Sequence, residues 1–464
     1  MSKRIKTRLE RDSMGPMRVP ASAYYGASTQ RAVLNFPVSD LRFPRSFIRA
    51  LALIKMCAAD VNKRFGDLDP IQAAAIVKAA REVASGRFDE HFVVDIFQTG
   101  SGTSTNMNAN EVIATRAREI LGGTKGNRQL VHPNDHVNLG QSSNDVIPTA
   151  THVAALIEIH GMLLPALRLL HDCLVRKSGE LMPVIKTGRT HLQDATPITL
   201  GQEFMGYAGQ IERAIARVEH ACEQLSAVAL GGTAVGTGIN TRREFSPQVC
   251  LKLSKILGFK IHETDNHFQA QSAMDEVVEV SGILKTVAVS LIKIANDIRW
   301  LASGPRAGLG EIALPEVQPG SSIMPGKVNP VIAESLLQVA AQVIGNDATI
   351  TYAGQSGSFE LNVMQPVAAF NLLQSISILG SACDNFRERC LEDIVATNRG
   401  PEMVSAGLAL VTALVPAIGY DTAASIAHEA SRTGESVLKV ALRMTKLSQA
   451  ELEVLLDPFK MIGH

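Results

Sequence analysis

The sequence predicts a mainly α-helical protein built around long helices. Only 5% of its 464 residues are aromatic, and Ala, Leu, Ile, Glu and Lys, which favour helices, fill its long segments. Apolar residues recur in these segments at steps of three or four, the period of a helix with one buried face. Several segments exceed the roughly 8–20 residues usual for globular helices. Such lengths indicate a long bundle or the helical core of an oligomer, since long helices need partners along their whole length.

The clearest helical pattern runs from Ala273 to Leu301. Its apolar stripe comprises Ile283, Val287, Leu291, Ile294, Ile298 and Leu301. Similar patterns predict helices at Thr149–Leu181, Leu200–Leu230, Val331–Ala353 and Glu360–Val395. The tail beyond about Asn398 predicts a smaller helical unit. Loops rich in Gly, Ser and Pro separate the helices, and such loops commonly carry binding and catalytic residues.

The charge balance argues against nucleic acid as a partner. Lys and Arg number 45 and Asp and Glu also number 45, whereas nucleic-acid binders carry a basic excess or stripe. No membrane partner is expected, because no signal-peptide pattern is visible and the apolar stretch 406–419 is short and contains Pro416. The six cysteines are scattered without CxxC spacing, which favours reduced thiols. These features predict a cytoplasmic protein.

No metal or nucleotide site is expected. His262 and His267 are five residues apart, not the four that would place two ligands on one helical face. The glycine-rich segment Gly231–Gly238 does not fit G-x-G-x-x-G, and no βαβ pattern surrounds it. We therefore interpret that segment as structural.

The loop Gly320–Pro330 has the composition of an anion-binding site. Its glycines, serines and prolines let backbone N–H groups and hydroxyls approach a ligand. Asn329 and Pro330 predict an N-cap and a first helical residue, so free N–H groups and positive partial charge would face an anion. Lys327 adds a cation beside them. By local pattern alone, an ordinary capped linker with a surface lysine is equally compatible.

Together with five other blocks, this loop resembles the signature of the fumarase/aspartase superfamily, whose members eliminate a group from a succinyl unit and release fumarate. The blocks follow in the family's order: Thr99–Thr103, His132–Asp135, Gln141–Asp145, Gly188–Asp194 and Phe359–Val363. Similarity extends from about Asp12 nearly to the C-terminus.

The resemblance implies a mainly α, three-domain fumarase/aspartase-like fold. Its parts would be an N-terminal domain at 1–141, a central long-helix bundle at 142–397 and a small C-terminal helical domain at 398–464. It also implies a homotetramer whose central domains form one bundle, with each active site built from three chains. Neither a metal nor an organic cofactor is implied.

The implied chemistry explains the loop. Dehydrating malate removes a weakly acidic proton beside a carboxylate, which puts extra negative charge on that carboxylate. Lys327, Asn329 and nearby backbone donors would stabilise this charge. The resemblance makes Ser321 the base that takes the carbon-bound proton, a role that requires local donors to lower its pKa.

The departing hydroxide must be protonated, and a histidine that titrates near neutral pH suits this task. His191 is the candidate. The resemblance pairs it with Glu334, which would orient the imidazole and stabilise its charged form. The alternatives are a core histidine satisfied by backbone groups and a helix-start carboxylate favoured by the helix dipole.

Short polar groups in the matching blocks would hold the dicarboxylate without adding much charge. The implied substrate-binding residues are Ser101, Gly102, Thr103, Ser142, Ser143, Asn144, Thr190, Lys327, Val328 and Asn329. Capping of the helices that follow, one of which is expected near Asn106, is the alternative role and is compatible with binding.

A second carboxylate site of the family corresponds to His132, Pro133, Asn134 and Asp135. Gln129 stands where the family usually has arginine, and His136 replaces a usual acidic residue. A weaker or altered second site is therefore expected.

Three positions favour water over ammonia as the exchanged group. The aspartate ammonia-lyases of this superfamily have Gln in place of His191, usually Thr in place of Ser143, and Ala in place of Gly326. A hydratase of a substituted fumarate stays open, because a methyl group changes little that a sequence shows. A catalytically dead relative is disfavoured because Ser321 and Lys327 are both present. The sequence thus predicts reversible hydration of fumarate to L-malate, a step of the tricarboxylic acid cycle.

Overall fold

The computed structural model describes residues 6–463, and α-helices dominate this part of the chain. The first helices are α1 (Ala27–Asn35), α2 (Arg45–Phe65), α3 (Pro70–Ala84) and α4 (Thr103–Ile120). They are followed by α5 (Ser143–Glu158), α6 (Leu164–Leu181), α7 (Leu200–Leu225), α8 (Phe245–Leu257), α9 (His267–Ser272), α10 (Asp275–Leu301), α11 (Val331–Gly354) and α12 (Gln365–Phe386). The C-terminal helices are α13 (Arg399–Ala406), α14 (Val415–Ile418), α15 (Tyr420–Thr433), α16 (Val437–Met444) and α17 (Gln449–Leu455).

Short irregular helices and small sheets complete the fold. Single π-helical turns occur at Pro133–Val137, Ile159–Leu163 and Arg387–Leu391, and 3₁₀ turns at Asp89–His91, Leu408–Leu414 and Pro458–Lys460. Four strand pairs are antiparallel: β1 (Thr7–Asp12) with β2 (Gly15–Pro20), β3 (Ile185–Thr190) with β4 (Gln193–Thr199), β7 (Ile312–Ala313) with β10 (Val395–Ala396), and β8 (Gly357–Ser358) with β9 (Leu361–Asn362). The pair β5 (Ala227–Val228) with β6 (His262–Glu263) is parallel.

The five predicted long helices are confirmed, with shifted ends. Helix α5 begins upstream of Pro148, because Ser142 and Asp145 form a capping box that fixes the helix start. Helix α7 stops at Leu225, because Ala227 pairs with His262 in a sheet. Helix α12 begins at Gln365 rather than Glu360. Its second residue is a proline, which fits a first helical turn.

The apolar stripe predicted for α10 forms part of the core. Val287, Leu291, Ile294 and Ile298 are completely buried, whereas the adjoining Leu284 is buried in place of Ile283. Fully burying each such side chain contributes roughly 1.5–3 kcal/mol. Helix α10 is therefore held by one apolar face, as its 3.6-residue period predicts.

The chain contains two compact units, each formed from three segments. One comprises Met1–Leu164, Arg217–Thr286 and Ala341–Leu379, and the other Pro165–Ala216, Val287–Ala340 and Gly380–His464. Their boundaries fall inside α6, α7, α10, α11 and α12. In the second unit a separate apolar cluster joins Ile185 to the C-terminal helices, with Leu414, Ile426, Val440 and Leu452 at its centre.

Cys57, Cys173, Cys250, Cys383 and Cys390 are free thiols, in agreement with the expectation of reduced cysteines. Burial raises the pKa of the thiols of Cys57, Cys250, Cys383 and Cys390 to about 12. Thiols with such a pKa stay protonated and unreactive at neutral pH.

Two helical stretches in residues 6–463 are long and apolar enough to cross a membrane, judged by length and composition alone. They are Ser143–Leu181 and Gln365–Leu391, and the bent pair Arg399–Ala406 and Leu408–Ile418 would be a third if it formed one span. This finding differs from the expectation that no such segment exists, because π-helical turns join separate apolar runs into longer stretches. The most apolar windows of the first two are 56% and 61% buried inside the chain, so core packing accounts for much of their apolar character.

A buried ion cluster anchors the β3–β4 hairpin. Arg189 donates two hydrogen bonds to the Glu311 carboxylate, at 3.0 and 2.9 Å. Lys186 Nζ lies 3.7 Å from Glu311 Oε2 and 3.1 Å from Glu203 Oε2. The Glu311 side chain is 0% exposed and that of Lys186 is 2% exposed. Bidentate arginine–carboxylate pairs fix geometry as well as adding energy, so this cluster holds the residues just before the hairpin turn.

We predict that Glu311→Gln lowers the thermal midpoint of unfolding substantially, by an amount equivalent to roughly 3–5 kcal/mol. The substitution leaves Arg189 without its buried countercharge, and Lys186 with only the partly exposed Glu203. Glu402→Gln is the matched control, since Glu402 pairs with Arg399 at the surface and its side chain is 61% exposed. A surface pair contributes about 0–1 kcal/mol. Calorimetry of both variants checks this, and equal midpoints would contradict it.

Candidate active site

The loop Gly320–Pro330 places a serine hydroxyl against two backbone donors. Ser321 Oγ accepts hydrogen bonds from the N–H groups of Ile323, at 3.3 Å, and Met324, at 3.0 Å. Donors aimed at an oxygen favour its negatively charged form. The loop therefore supplies the local environment that a serine base requires.

Asn329 does not cap the helix as predicted. Helix α11 begins at Val331, and its first hydrogen bond runs from the N–H of Glu334 to the carbonyl of Pro330, at 3.0 Å. Pro330 is thus the N-cap, and the Asn329 amide instead donates to the carbonyl of Gly320. This bond joins the two ends of the loop, so tertiary closure overrides the local capping preference.

Four predicted residues line one cavity of about 760 Å³ in the second unit: Lys327, Val328, Asn329 and Glu334. Arg299 and Trp300 of α10 also line it. With Asn296 and Glu316, which also line it, the cavity combines two cations, two carboxylates and two amides. Neither Ser321 nor His191 lines this cavity.

His191 lies at the tip of the β3–β4 hairpin and is exposed. Thr190 pairs with Gln193, so His191 and Leu192 form a two-residue turn. Their φ angles are +56° and +59°, the left-handed values that a type I′ turn requires and that favour Gly or Asn. Left-handed backbone at non-glycine residues costs of order 1–3 kcal/mol and is concentrated at functional sites. The core histidine alternative is therefore wrong.

The first block of short polar residues lies at the start of α4, which begins at Thr103 rather than near Asn106. The hydroxyls of Ser101 and Thr103 are 2.8 Å apart. Gly102 between them has a φ of +72°, and a Cβ there would meet Ile147 at 2.9 Å. Only glycine fits this bend without displacing a neighbour.

The second block, Ser142–Asn144, both caps a helix and presents polar groups. Ser142 is the N-cap of α5, and its hydroxyl accepts from the N–H of Asn144. Ser143 Oγ accepts from the side-chain amide of Asn106 at 3.0 Å. Asn144 Nδ2 donates to the carbonyl of Ala234 at 2.8 Å. The capping role weighed as an alternative is thus confirmed for Ser142.

The sequence patterns missed the groups that support this block. Asp145 is 0% exposed and accepts from the N–H groups of Ser142, Gly231 and Thr233 at 2.9–3.1 Å. Burial raises the pKa of its carboxyl, and the three donors oppose that shift. The segment Gly231–Gly238, interpreted as structural, thus supports the Ser142–Asn144 block through Asp145. The S-x-x-D capping pattern was the signal that could have identified Asp145.

The residues of the second carboxylate site form a π-helical turn. His132 is its N-cap, and His132 Nδ1 accepts from the N–H groups of Asn134 and Asp135, both at 3.2 Å. Pro133 is buried and is the first residue of the turn. Burial, together with the charge of Arg128, lowers the pKa of His132. The guanidinium of Arg128, adjacent to Gln129, donates to the carbonyl of Arg11.

The predicted residues fall into two groups, one in each compact unit. Ser101, Thr103, Ser142–Asn144 and His132–Asp135 belong to the first unit. Thr190, His191, Ser321, Lys327–Asn329 and Glu334 belong to the second. Within residues 6–463, no group of three or more His, Cys, Asp or Glu side chains is arranged to hold a metal ion.

Comparison with known proteins identifies the family. Residues 15–345 match a family model described as lyase, and residues 410–463 match one described as fumarase C C-terminus. The mitochondrial fumarate hydratase of Danio rerio is 51% identical over 98% of this chain and 90% of its own length. The class II fumarate hydratase of Nitrosomonas europaea is 50% identical over 98% of each chain.

A solved structure gives the same result for the fold. The crystal structure of recombinant class II fumarase from Schistosoma mansoni matches with a TM-score of 0.95 and 40% identity, over 98% of this chain and 99% of that one. The fumarase/aspartase-like fold implied by the motif blocks is thus confirmed. The chain belongs to the class II fumarate hydratase family.

Proposed function

We propose that this chain reversibly adds water to fumarate to give L-malate, the tricarboxylic acid cycle reaction. The proposal rests on the geometry of the loop around Ser321. The Ser321 hydroxyl accepts hydrogen bonds from two backbone N–H groups. Beside it, Lys327 and Asn329 line a cavity together with Glu334. This combination of a stabilised serine oxygen, a cation and an amide suits carbanion chemistry next to a carboxylate.

The proposed dehydration of malate balances as two proton transfers. Ser321, as the alkoxide, takes the proton from the carbon beside one carboxylate, and that carboxylate gains negative charge, which Lys327 and Asn329 stabilise. Protonated His191 then gives its proton to the hydroxyl on the neighbouring carbon, and that group leaves as water. Hydration reverses these steps, and Glu334 orients and stabilises the charged imidazole.

The substrate-binding residues are proposed to act by hydrogen bonding. Ser101, Thr103, Ser142, Ser143, Asn144 and Thr190 offer hydroxyl and amide donors to carboxylate oxygens, while Gly102 and Val328 shape the backbone around them. His132, Pro133, Asn134 and Asp135 are proposed as a second, weaker carboxylate site, since the guanidinium of Arg128 is already bonded to a carbonyl. No metal or organic cofactor takes part in this scheme.

We further propose a homotetramer with active sites shared between subunits. Large apolar side chains are exposed on the long helices of the single chain, including Val289 at 54% on α10 and Tyr352 at 64% on α11. Burying such residues against other subunits would stabilise the assembly. We also propose a three-domain chain, divided at 141/142 and 397/398, whose C-terminal helices supply most of an apolar cluster that also includes Ile185.

The proposed setting is the cytoplasm, without nucleic acid or membrane partners. Free cysteines such as Cys57 and Cys383 suit a reducing compartment. The balance of 45 basic and 45 acidic residues gives no basic excess for nucleic acid.

We predict that the purified protein, treated with a chelator and dialysed, converts fumarate to L-malate and forms no aspartate from fumarate and ammonia. Loss of ultraviolet absorbance of fumarate, with chromatographic identification of the product, checks this. Aspartate without malate would replace the proposal with an ammonia-lyase. Faster turnover of a methyl-substituted fumarate would identify a different hydratase.

We predict that His191→Asn folds and assembles normally but loses about 10²–10⁴-fold in turnover, because it removes the proton donor. Steady-state kinetics in both directions measures this. His220→Asn is the matched control, since His220 lies on α7 with its side chain 52% exposed. Near-normal turnover of His191→Asn would remove this residue from the mechanism.

We predict that light scattering gives a mass four times that of the 49.7 kDa chain, and that Val289→Asp lowers both the mass and the activity. A buried, unpaired carboxylate at a helix interface would separate the subunits. Leu442→Asp, on the C-terminal helix α16 and similarly apolar and exposed, should retain both properties. A fully active monomer would contradict shared sites.

A further inference from the structure

A fully buried lysine lies beneath the Ser142–Asn144 block and takes no part in the proposed chemistry. Lys55, on α2, is 0% exposed. Burial lowers the pKa of its ammonium to about 7, against an opposing contribution from Asp145. Burying a charge costs free energy, and apolar residues of similar volume often replace buried ions without loss of stability. Stability alone therefore does not account for a lysine at this position.

Lys55 begins a chain of hydrogen bonds that ends at Ser143. Its Nζ donates to Asn138 Oδ1 at 2.7 Å. The same oxygen accepts from Asn106 Nδ2 and Asn110 Nδ2, both at 3.2 Å. Asn106 Nδ2 also donates to Ser143 Oγ at 3.0 Å. The first and last members of the chain are thus joined through two amides.

The direction of each bond follows from the chemistry of the ammonium group. A protonated lysine has three donors and no acceptor, so Asn138 must turn its oxygen toward Lys55. That oxygen can only accept, so Asn106 must turn its NH₂ group toward Asn138. The same NH₂ group faces Ser143, whose oxygen therefore accepts. Because Ser143 accepts there, its own O–H proton is free to donate to another group.

The side-chain nitrogen of Asn138 also has a fixed hydrogen-bond partner. Asn138 Nδ2 donates to the carbonyl of Gln141 at 3.0 Å. This bond makes the opposite orientation of the Asn138 amide unfavourable, since an oxygen there would face a carbonyl. The Asn138 amide therefore has one orientation, in which its oxygen faces Lys55 on α2 and its nitrogen faces the carbonyl of Gln141.

We propose that Lys55 is a positioning residue for substrate binding, which orients the Asn138–Asn106 chain so that the Ser143 hydroxyl donates to a carboxylate oxygen of the bound dicarboxylate. This inference rests on the proposed function. Lys55 itself touches neither the substrate nor the reacting atoms. Lys55 contributes by setting the direction of the hydrogen bond at Ser143, so that the Ser143 hydroxyl acts as a donor toward the substrate.

The test uses Lys55→Met in the full-length assembled protein, assayed at pH 6.5, where the ammonium form predominates in the parent. We expect KM for fumarate and L-malate to rise about tenfold, as for loss of one hydrogen bond to a charged group. We expect kcat to change less than threefold, since the lost contact serves binding. Lys55→Gln, whose amide can turn either way, should raise KM less and serves if the methionine variant does not fold.

A double-mutant cycle separates positioning from a general structural effect. Ser143→Ala should raise KM by a similar factor, and Lys55→Met should change KM less than twofold in that background, because the two substitutions remove the same contact. Lys177→Met is the matched control. Lys177 is also a buried lysine, at 5% exposed, and its Nζ donates to the carbonyl of Ile394. This control should keep KM within twofold of the parent value.

Three results would overturn the inference: an unchanged KM in folded Lys55→Met, multiplicative effects in the double mutant, or an equal rise of KM in Lys177→Met. Calorimetric titration with succinate, which binds as a dicarboxylate but cannot be hydrated, provides the same comparison as dissociation constants. If the parent binds succinate without hydrating fumarate, the proposed function fails while the Lys55 inference is still decided by those constants. A parent that neither binds succinate nor hydrates fumarate would contradict both.

Discussion

The geometry of the site depends on two buried carboxylates, each of which accepts several hydrogen bonds. Asp145 is completely buried and accepts three backbone N–H groups, from the start of α5 and from the segment Gly231–Thr233. Each donor compensates part of the cost of removing the carboxylate from water. Because these donors come from two distant parts of the chain, their hydrogen bonds to Asp145 hold the Ser142–Asn144 block against the segment Gly231–Thr233. In the second unit, Glu311 has the same effect on the hairpin that carries His191.

The basic side chains of the second unit have two different roles: some hold the structure together, and one is available to bind an anion. Arg189 and Lys186 are engaged with the buried carboxylate of Glu311, so they define geometry rather than contact a substrate. Lys327 lies in an exposed loop and lines a cavity, where its charge is available to an anion. The hydration chemistry requires this separation, because a cation already paired with a buried carboxylate stabilises little new negative charge.

A strained backbone turn and a directed chain of hydrogen bonds set the positions of two further side chains, His191 and Ser143. His191 lies in a left-handed turn that its side chain does not favour, and the adjacent Arg189–Glu311 pair provides the rigidity that such a conformation needs. In the other unit, the Ser143 oxygen is turned toward Asn106 by a chain that starts at Lys55. In the proposed mechanism, these two features position the side chains of His191 and Ser143 through neighbours that lie outside the substrate site.

The sequence by itself determined the helical class, the five long helices and the identity of the signature blocks. Period and composition act locally, and the motif residues are conspicuous by type and spacing. The capping role predicted for Asn329 was wrong, because its amide bonds to Gly320 across the loop rather than to the helix. Only the tertiary structure revealed the β3–β4 turn, the partners of Asp145 and the burial of Lys55. These features join residues that are far apart in the chain, such as Lys55 and Asn138. No local period or spacing encodes such pairing, since it arises only when the helices pack.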